Sequence, residues 1–302
     1  MSEMKKSIIA VGILVILGIL GAGATNRALL VGIGNYDTAK TGWSKIHGDA
    51  DVDMLFNGLS QQGFAVSNIK TLKNKEATKA NIINALKELT NQCQTGDKVI
   101  FHFSGHGQLV ADVHNDEKDG LDESIVPFNA YRTSRYICNG KRYQGQFHIL
   151  DDELNPLLQR IKQKIGKNGV LFVSIDACHS QGIELAEGGS APEEDFEIMG
   201  EPRGTADVFR GGKAYLSTIR SPKHYPPGGK MIIVTACRTN ERNFEYRIPG
   251  TNRTVGSLSH CLTQLLKQDA DFGRWKKYFE NKRYKGQSLF ISDQHPVVVF
   301  YE

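Results

Sequence analysis

No two of the five cysteines, Cys93, Cys138, Cys178, Cys237 and Cys261, stand at CxxC spacing. That absence speaks against a zinc site, and the odd number excludes a complete disulfide framework, so at least one thiol is left over. The chain also lacks an internal repeat, which speaks against a solenoid or a propeller. It lacks a large excess of one charge as well: 37 Lys and Arg face 33 Asp and Glu, a formal +4 spread along the sequence. Without a basic stripe, no nucleic-acid partner is expected.

What is present is enough for a substantial core. With 302 residues, 40% hydrophobic and 23% charged, the chain can bury one large α/β core or two small ones. Its first residues form a separate unit. Lys5 and Lys6 precede an apolar run from Ile8 to Leu20, and Ala22-Gly23-Ala24 follows as a small-x-small triplet. This pattern predicts a signal peptide over 1–24, cleaved after Ala24, and therefore an exported protein, periplasmic or secreted. Left uncleaved, the same run would be a membrane anchor, and that is the single membrane association expected. Export makes each cysteine worth weighing against its surroundings.

From Arg27 onward, strand and helix patterns alternate. Short apolar runs at 27–36, 65–72, 97–107, 169–178, 230–237 and 295–302 read as six buried strands. Between them, Val52, Leu55, Phe56 and Leu59 mark one helix; Ile82, Leu86 and Leu89 a second; Leu154, Leu157, Leu158, Ile161 and Ile165 a third; and Leu258, Leu262 and Leu265 a fourth. The order predicts an α/β three-layer sandwich, with a mostly parallel central sheet of about six strands flanked by helices.

Ligands of such sheets bind beyond the carboxyl ends of the strands. Two of those ends carry reactive side chains, His106 in "SGHG" and Cys178 in "DACHS". On adjacent parallel strands they would place an imidazole beside a thiol, the pair a cysteine nucleophile requires. Other groups read as structural: Cys237 and Cys261 sit in apolar periodic contexts, and His102 lies inside a strand. His179 follows Cys178 directly, so its side chain points elsewhere if strand alternation persists. Asp176 and Cys178 are two apart and share one face of a strand. A carboxylate there would oppose thiolate formation, so its sensible use is to hold a cation of the substrate.

"FSGHG" followed some seventy residues later by "DACHSQG" resembles the p20 unit of caspase-like cysteine peptidases of the metacaspase and orthocaspase type. "RALLVGIGNY", "DVDMLFNGLSQQGF", "DGLDESIVPFNA" and "IIVTACRTNE" match the same family in order. The resemblance implies a caspase-like fold, with a p20-like catalytic region over 25–182, an activation loop over 183–230 and a p10-like region over 231–302 within one domain. It implies His106 as general acid/base, Cys178 as nucleophile, and the backbone N–H groups of Gly107 and Cys178 as an oxyanion hole. It implies Asp51 as a second acid beside Asp176 in the S1 pocket, hence cleavage after Arg or Lys and protein or peptide substrates. Asp49 and Asp53 lie close enough for that assignment to slip, and Asp51 could instead be a helix cap. A catalytically idle scaffold domain is the alternative function, opposed by the intact Cys and His.

The segment from Gly182 to Lys230 lacks periodicity; its second half carries Arg203, Arg210, Lys213, Arg220, Lys223 and Lys230. Basic residues beside a basic-directed site are candidates for self-cleavage, expected somewhere in 203–230. The family resemblance also raises calcium as an activator, with Asp122, Asp151 and Asp152 as candidate ligands, although no cofactor is required for catalysis. Against that reading, Asn129 replaces a common family acid and the insertion "RTSRYICNGKRYQG" intervenes. Asp151 and Asp152 equally suit the first turn of a helix. "RWKKYFENKRYKG" reads as an amphipathic connection packing Trp275, Tyr278 and Phe279. The expected state is a monomer.

Overall fold

In a computed structural model, the described residues are 23–115, 120–178, 198–199, 203–205, 207–210, 227–237, 243–248, 250–281, 283–284, 287–288 and 296–301. The 1–22 stretch of the expected signal peptide, most of the 183–230 loop and His179 lie outside them. Among the described residues no helix is long and apolar enough to cross a membrane.

Six strands make the central sheet: β1 (Asn26–Gly32), β2 (Ile69–Lys73), β3 (Lys98–Ser104), and further along the chain Val170–Asp176, Lys230–Thr235 and Val297–Tyr301. Two strands outside it, β4 (Gly107–Ala111) and β5 (Leu121–Ile125), pair antiparallel with each other, and β5 pairs with β6 (Ile149–Leu150). Counting on, Val170–Asp176 is β7, Lys230–Thr235 β8, Glu245–Arg247 β9, Thr254–Gly256 β10 and Val297–Tyr301 β11. The central order is β11-β8-β7-β3-β1-β2, parallel except for β11. This is the six-stranded, mostly parallel sheet that the apolar runs predict.

Period-two alternation distributes each strand between two cores. Leu29 and Val31 face one core with Ile82, Leu86, Leu154 and Ile161, which belong to helices α2 (Lys79–Gln92) and α3 (Asp151–Ile165). Ala28 and Leu30 face the other with Val52, Leu55, Leu262 and Leu265, from α1 (Gly48–Gln61) and α4 (Ser257–Gln268). Trp275 and Phe279 join that second layer, as the amphipathic reading of their segment expects. Cys261 packs there too, and all five cysteines are buried thiols.

One boundary differs from expectation. The stretch expected as strand from residue 65 begins with a 3-10 turn, Val66–Asn68, and pairs with β1 only from Ile69. Val66 is exposed, so its β-branched side chain gains nothing from the sheet there. Lys230 opens β8 opposite Val170, where the strand read over 230–237 begins.

Register decides where the chemistry falls. Gly32 aligns with Ser104, and Ser104 with Asp176. Three central strands therefore end at one level, and the residues just past them, His106 and Cys178, emerge on the same rim.

Candidate active site

Past β3, the chain turns through Gly105 and His106 directly into β4. The His106 ring is buried, stacked on Trp43 with centroids 4.9 Å apart and tilted against Tyr36 at 4.8 Å. Its Nε2 lies 2.9 Å from the Ser44 carbonyl oxygen, and its Nδ1 is buried with no hydrogen-bond partner. A carbonyl can only accept, so Nε2 carries the proton and Nδ1 presents a lone pair. Burial, against the opposing pull of the Ser44 carbonyl, pushes the ring down to about 4, so it is a neutral base at neutral pH. Tyr36 fixes the backbone here: its hydroxyl donates to Val126 O at 2.8 Å and accepts the His106 N–H at 3.1 Å.

Cys178 is buried beyond the end of β7. The backbone N–H of Asn243 donates to its Sγ at 3.1 Å, a contact that favours sulfur bearing charge. The backbone N–H groups of Gly107 and Cys178 converge on one acceptor, the carbonyl oxygen of Arg203, each at 3.0 Å. The Arg203 N–H donates to Asn243 O at 2.8 Å, and the Arg203 backbone also borders the His106 ring. The Arg203 peptide carbonyl thus has two donors on its oxygen, with the Cys178 side chain and the His106 ring bordering the same stretch of chain.

The Arg203 side chain continues into a closed acidic pocket and is fully buried. Nη2 meets Asp51 Oδ2 at 2.7 Å and Glu245 Oε1 at 2.8 Å. Nη1 bonds Ser104 Oγ and lies 3.6 Å from Asp176 Oδ1. Asp176 is held by Asn243 Nδ2 at 2.7 Å and by the Ser259 N–H and hydroxyl at 2.8 and 2.6 Å. Asp51 accepts Ser104 Oγ at 2.7 Å and the Gly256 N–H. A Cβ built on Gly256 would stand 2.2 Å from Asp176 Oδ2 and 2.7 Å from Arg203 Nη1, so only glycine leaves room for the guanidinium.

Three carboxylates around one cation set the electrostatics. Burial pushes Asp51 up to about 6, with Asp176 adding to the rise while Arg203 opposes it. Burial would raise Glu245 too, but Arg203 and His47 together hold it below its usual range. His47, half exposed at the mouth, pairs with Glu245 at 2.7 Å and is raised by that bond. Arg203 stays charged, because its three carboxylates outweigh its desolvation.

Asp51 is not the helix cap; the capping position of α1 is His47, and Asp51 lies buried in its first turn. Its neighbours turn away, Asp49 to Asn74 Nδ2 at 2.8 Å and Asp53 to Lys73 Nζ at 2.8 Å. Glu245, Asn243 and Ser259 enter the site without having been singled out from sequence. His102 is a packed ring between Ser174 Oγ at 2.8 Å and Ser259 Oγ at 3.4 Å. Asp122 is buried on β5, while Asp151 and Asp152 open α3 as an acidic first turn. Among the described residues, no group of three or more His, Cys, Asp or Glu side chains is placed to hold a metal ion.

Comparison with known proteins agrees with this architecture. The crystal structure of protein GSU0716 from Geobacter sulfurreducens superposes with a TM-score of 0.61 at 21% identity, over 91% of this chain and 93% of that one, a likeness of fold. Metacaspase-1 of Meyerozyma guilliermondii is 30% identical over 262 residues, 81% of this chain and 57% of that protein. Metacaspase-1A of Aspergillus niger is 34% identical over 280 residues, 80% of this chain and 63% of that protein. The chain thus spans about three fifths of the length of these curated relatives. Residues 26 to 185 match the family model described as metacaspase, peptidase C14 domain, and by that match and these relatives the chain belongs to the metacaspase family.

Proposed function

We propose that this protein is a cysteine endopeptidase that cleaves after arginine or lysine and processes itself within 203–230. The observation that carries the reading is Arg203: its guanidinium lies among Asp51, Asp176 and Glu245 while its carbonyl accepts the Gly107 and Cys178 N–H groups. In the proposed reaction, His106 Nδ1 takes the thiol proton and Cys178 Sγ attacks the carbonyl carbon. The oxyanion develops against the two N–H groups. The C–N bond breaks, His106 returns the proton to the leaving amine, and water then hydrolyses the thioester, releasing a carboxylate and the free thiol.

Arginine is the better occupant. Its two Nη atoms serve different partners, Asp51 and Glu245 on one side, Ser104 and Asp176 on the other. A lysine ammonium is a single point and must give up part of that set. An aspartate would add a fourth carboxylate and be repelled. Export under the leader at 1–24 and a monomeric state complete the reading; calcium is kept as an activator with no step in the chemistry.

The test is hydrolysis of fluorogenic Arg, Lys and Asp peptides by the wild-type chain and by Cys178→Ala. Arg turnover above Lys, none with Asp, and none by the variant is the expected pattern. Equal turnover by both proteins would identify a contaminating protease and remove the reading.

A further inference from the structure

The chain does not leave the site after Arg203. Gly204 forms a parallel bridge with Gly107, and farther on the Phe209 N–H donates to Leu109 O at 2.8 Å while Phe209 O accepts the Ala111 N–H at 3.1 Å. The described residues of 204–209 therefore run along β4 as an added strand. Side chains grip them as well. Gln108 Nε2 donates to Asp207 O at 3.0 Å, and Arg132 Nη2 reaches Thr205 Oγ1 at 3.1 Å and Asp207 Oδ2 at 2.9 Å. At the far end, Phe209 is buried against Tyr143, edge-on at 5.4 Å, and His148 at 5.0 Å. Arg132 and Tyr143 both belong to the insertion "RTSRYICNGKRYQG".

Position 204 is restricted too. A Cβ there would stand 2.4 Å from Gly107 O and 2.6 Å from Cys178 Cβ, both fixed parts of the site. Glycine alone fits directly after the bonded carbonyl in this arrangement.

We propose that β4 and this insertion form a peptide-binding groove on the leaving-group side of the scissile bond. It accepts glycine immediately after the cleaved arginine and an aromatic residue six positions after it, and its resident segment presents Arg203–Gly204 as the first bond the protein cuts. The inference rests on the peptidase reading for its chemistry, but the groove itself does not. Of its contacts, the buried Phe209 ring outweighs the exposed Arg132–Asp207 pair, which solvent screens.

Two arms test it. In the first, internally quenched peptides carrying Arg-Gly-Thr-Ala-Asp-Val-Phe are given to the wild-type chain, with Phe→Ala and Gly→Ala versions and a fluorogenic Arg amide that has nothing beyond the cleaved bond. Loss of the aromatic should lower kcat/KM about tenfold, a typical effect of removing a buried aromatic anchor, and Gly→Ala should lower it at least as much. Equal rates for all three overturn the groove, while failure to cut even the fluorogenic amide overturns the peptidase reading instead. The second arm needs no activity. In Cys178→Ala protein, Arg203 should resist trypsin, and Phe209→Ala should expose it; Asp207→Ala, a surface change, should do so to a smaller degree in a protein that folds normally. Trypsin cutting after Arg203 at one rate in all three proteins would refute the groove independently of any catalysis.

Discussion

Asp51 and Asp176 look alike in sequence but carry different loads. Asp176 is tied by Asn243 and Ser259 and lies 3.6 Å from the guanidinium, whereas Asp51 leans on Ser104, Gly256 and Arg203 and is pushed up to about 6 by burial. Below that value Asp51 gains a proton and the pocket loses one negative charge, so turnover of an Arg peptide should fall as pH drops through about 6. The acid limb of the pH–rate profile checks this, and Asp51→Asn should abolish the limb, since His106 titrates lower, near 4. Asp176→Asn should cost on the order of a hundredfold in kcat/KM for Arg, the scale of breaking a buried ion pair. Sequence spacing places Asp176 beside the thiol because both lie on one strand end. It does not separate Asp51 from Asp49 and Asp53, which needs the pairing with Asn74 and Lys73. Glu245 left no trace at all: nothing in "NFEYR" singles it out, and only tertiary packing turns it onto Arg203.

Among the elements, the strand ends matter most. Apolar runs mark all six central strands in order of appearance, most clearly β1, β3, β7 and β8, because strands of a parallel sheet buried on both faces must be written in nearly continuous hydrophobic residues. The small sheet of β4, β5 and β6 escaped that logic. Its strands are short and rich in polar groups, and Gln108, Asp122, Glu123 and Ser124 are buried among them, a pattern that hydrophobicity does not report. The junction of β10 and α4 also carries a specific burden, since Gly256 borders the pocket. Gly256→Ala should abolish Arg hydrolysis through clash with Asp176 and the substrate cation while leaving the thiol reactive; active-site alkylation at Cys178 alongside an Arg-peptide assay separates those two effects. For α3, the acidic opening turn of Asp151, Asp152 and Glu153 suits a helix N-terminus. Activity unchanged by a chelator would dismiss calcium activation, and recovery on adding Ca²⁺ back would support it.

Across the whole molecule, buried imidazoles set the response to acid. Burial pushes His102 and His106 down to about 4 and His148 down to about 3, each from an ordinary value near 6.5. The unfolded chain therefore binds more protons than the folded one between those limits, so stability present above about pH 6.5 is lost progressively as pH falls toward 4. Asp51 works in the opposite sense, because its raised value lets the folded state hold a proton the unfolded chain releases between about 4 and 6. His260 is lowered by burial as well, while His47 is raised by its bond to Glu245; four lowered rings against Asp51 and His47 should leave the protein less stable at pH 5 than at pH 7, measured as a lower denaturant midpoint. A midpoint that rises on acidification would contradict the burial of these rings.

The sheet order β11-β8-β7-β3-β1-β2 has a lasting effect on any molecule severed after Arg203. Four of its strands come from the piece ahead of the break and two from the piece behind it, hydrogen-bonded along the seam between Val170–Asp176 and Lys230–Thr235. Both halves stay joined as long as the protein remains folded, since neither can shed the other without tearing a shared ladder. Once denatured, however, they must find each other through solution, so recovery would depend on concentration where the uncut polypeptide needs only itself.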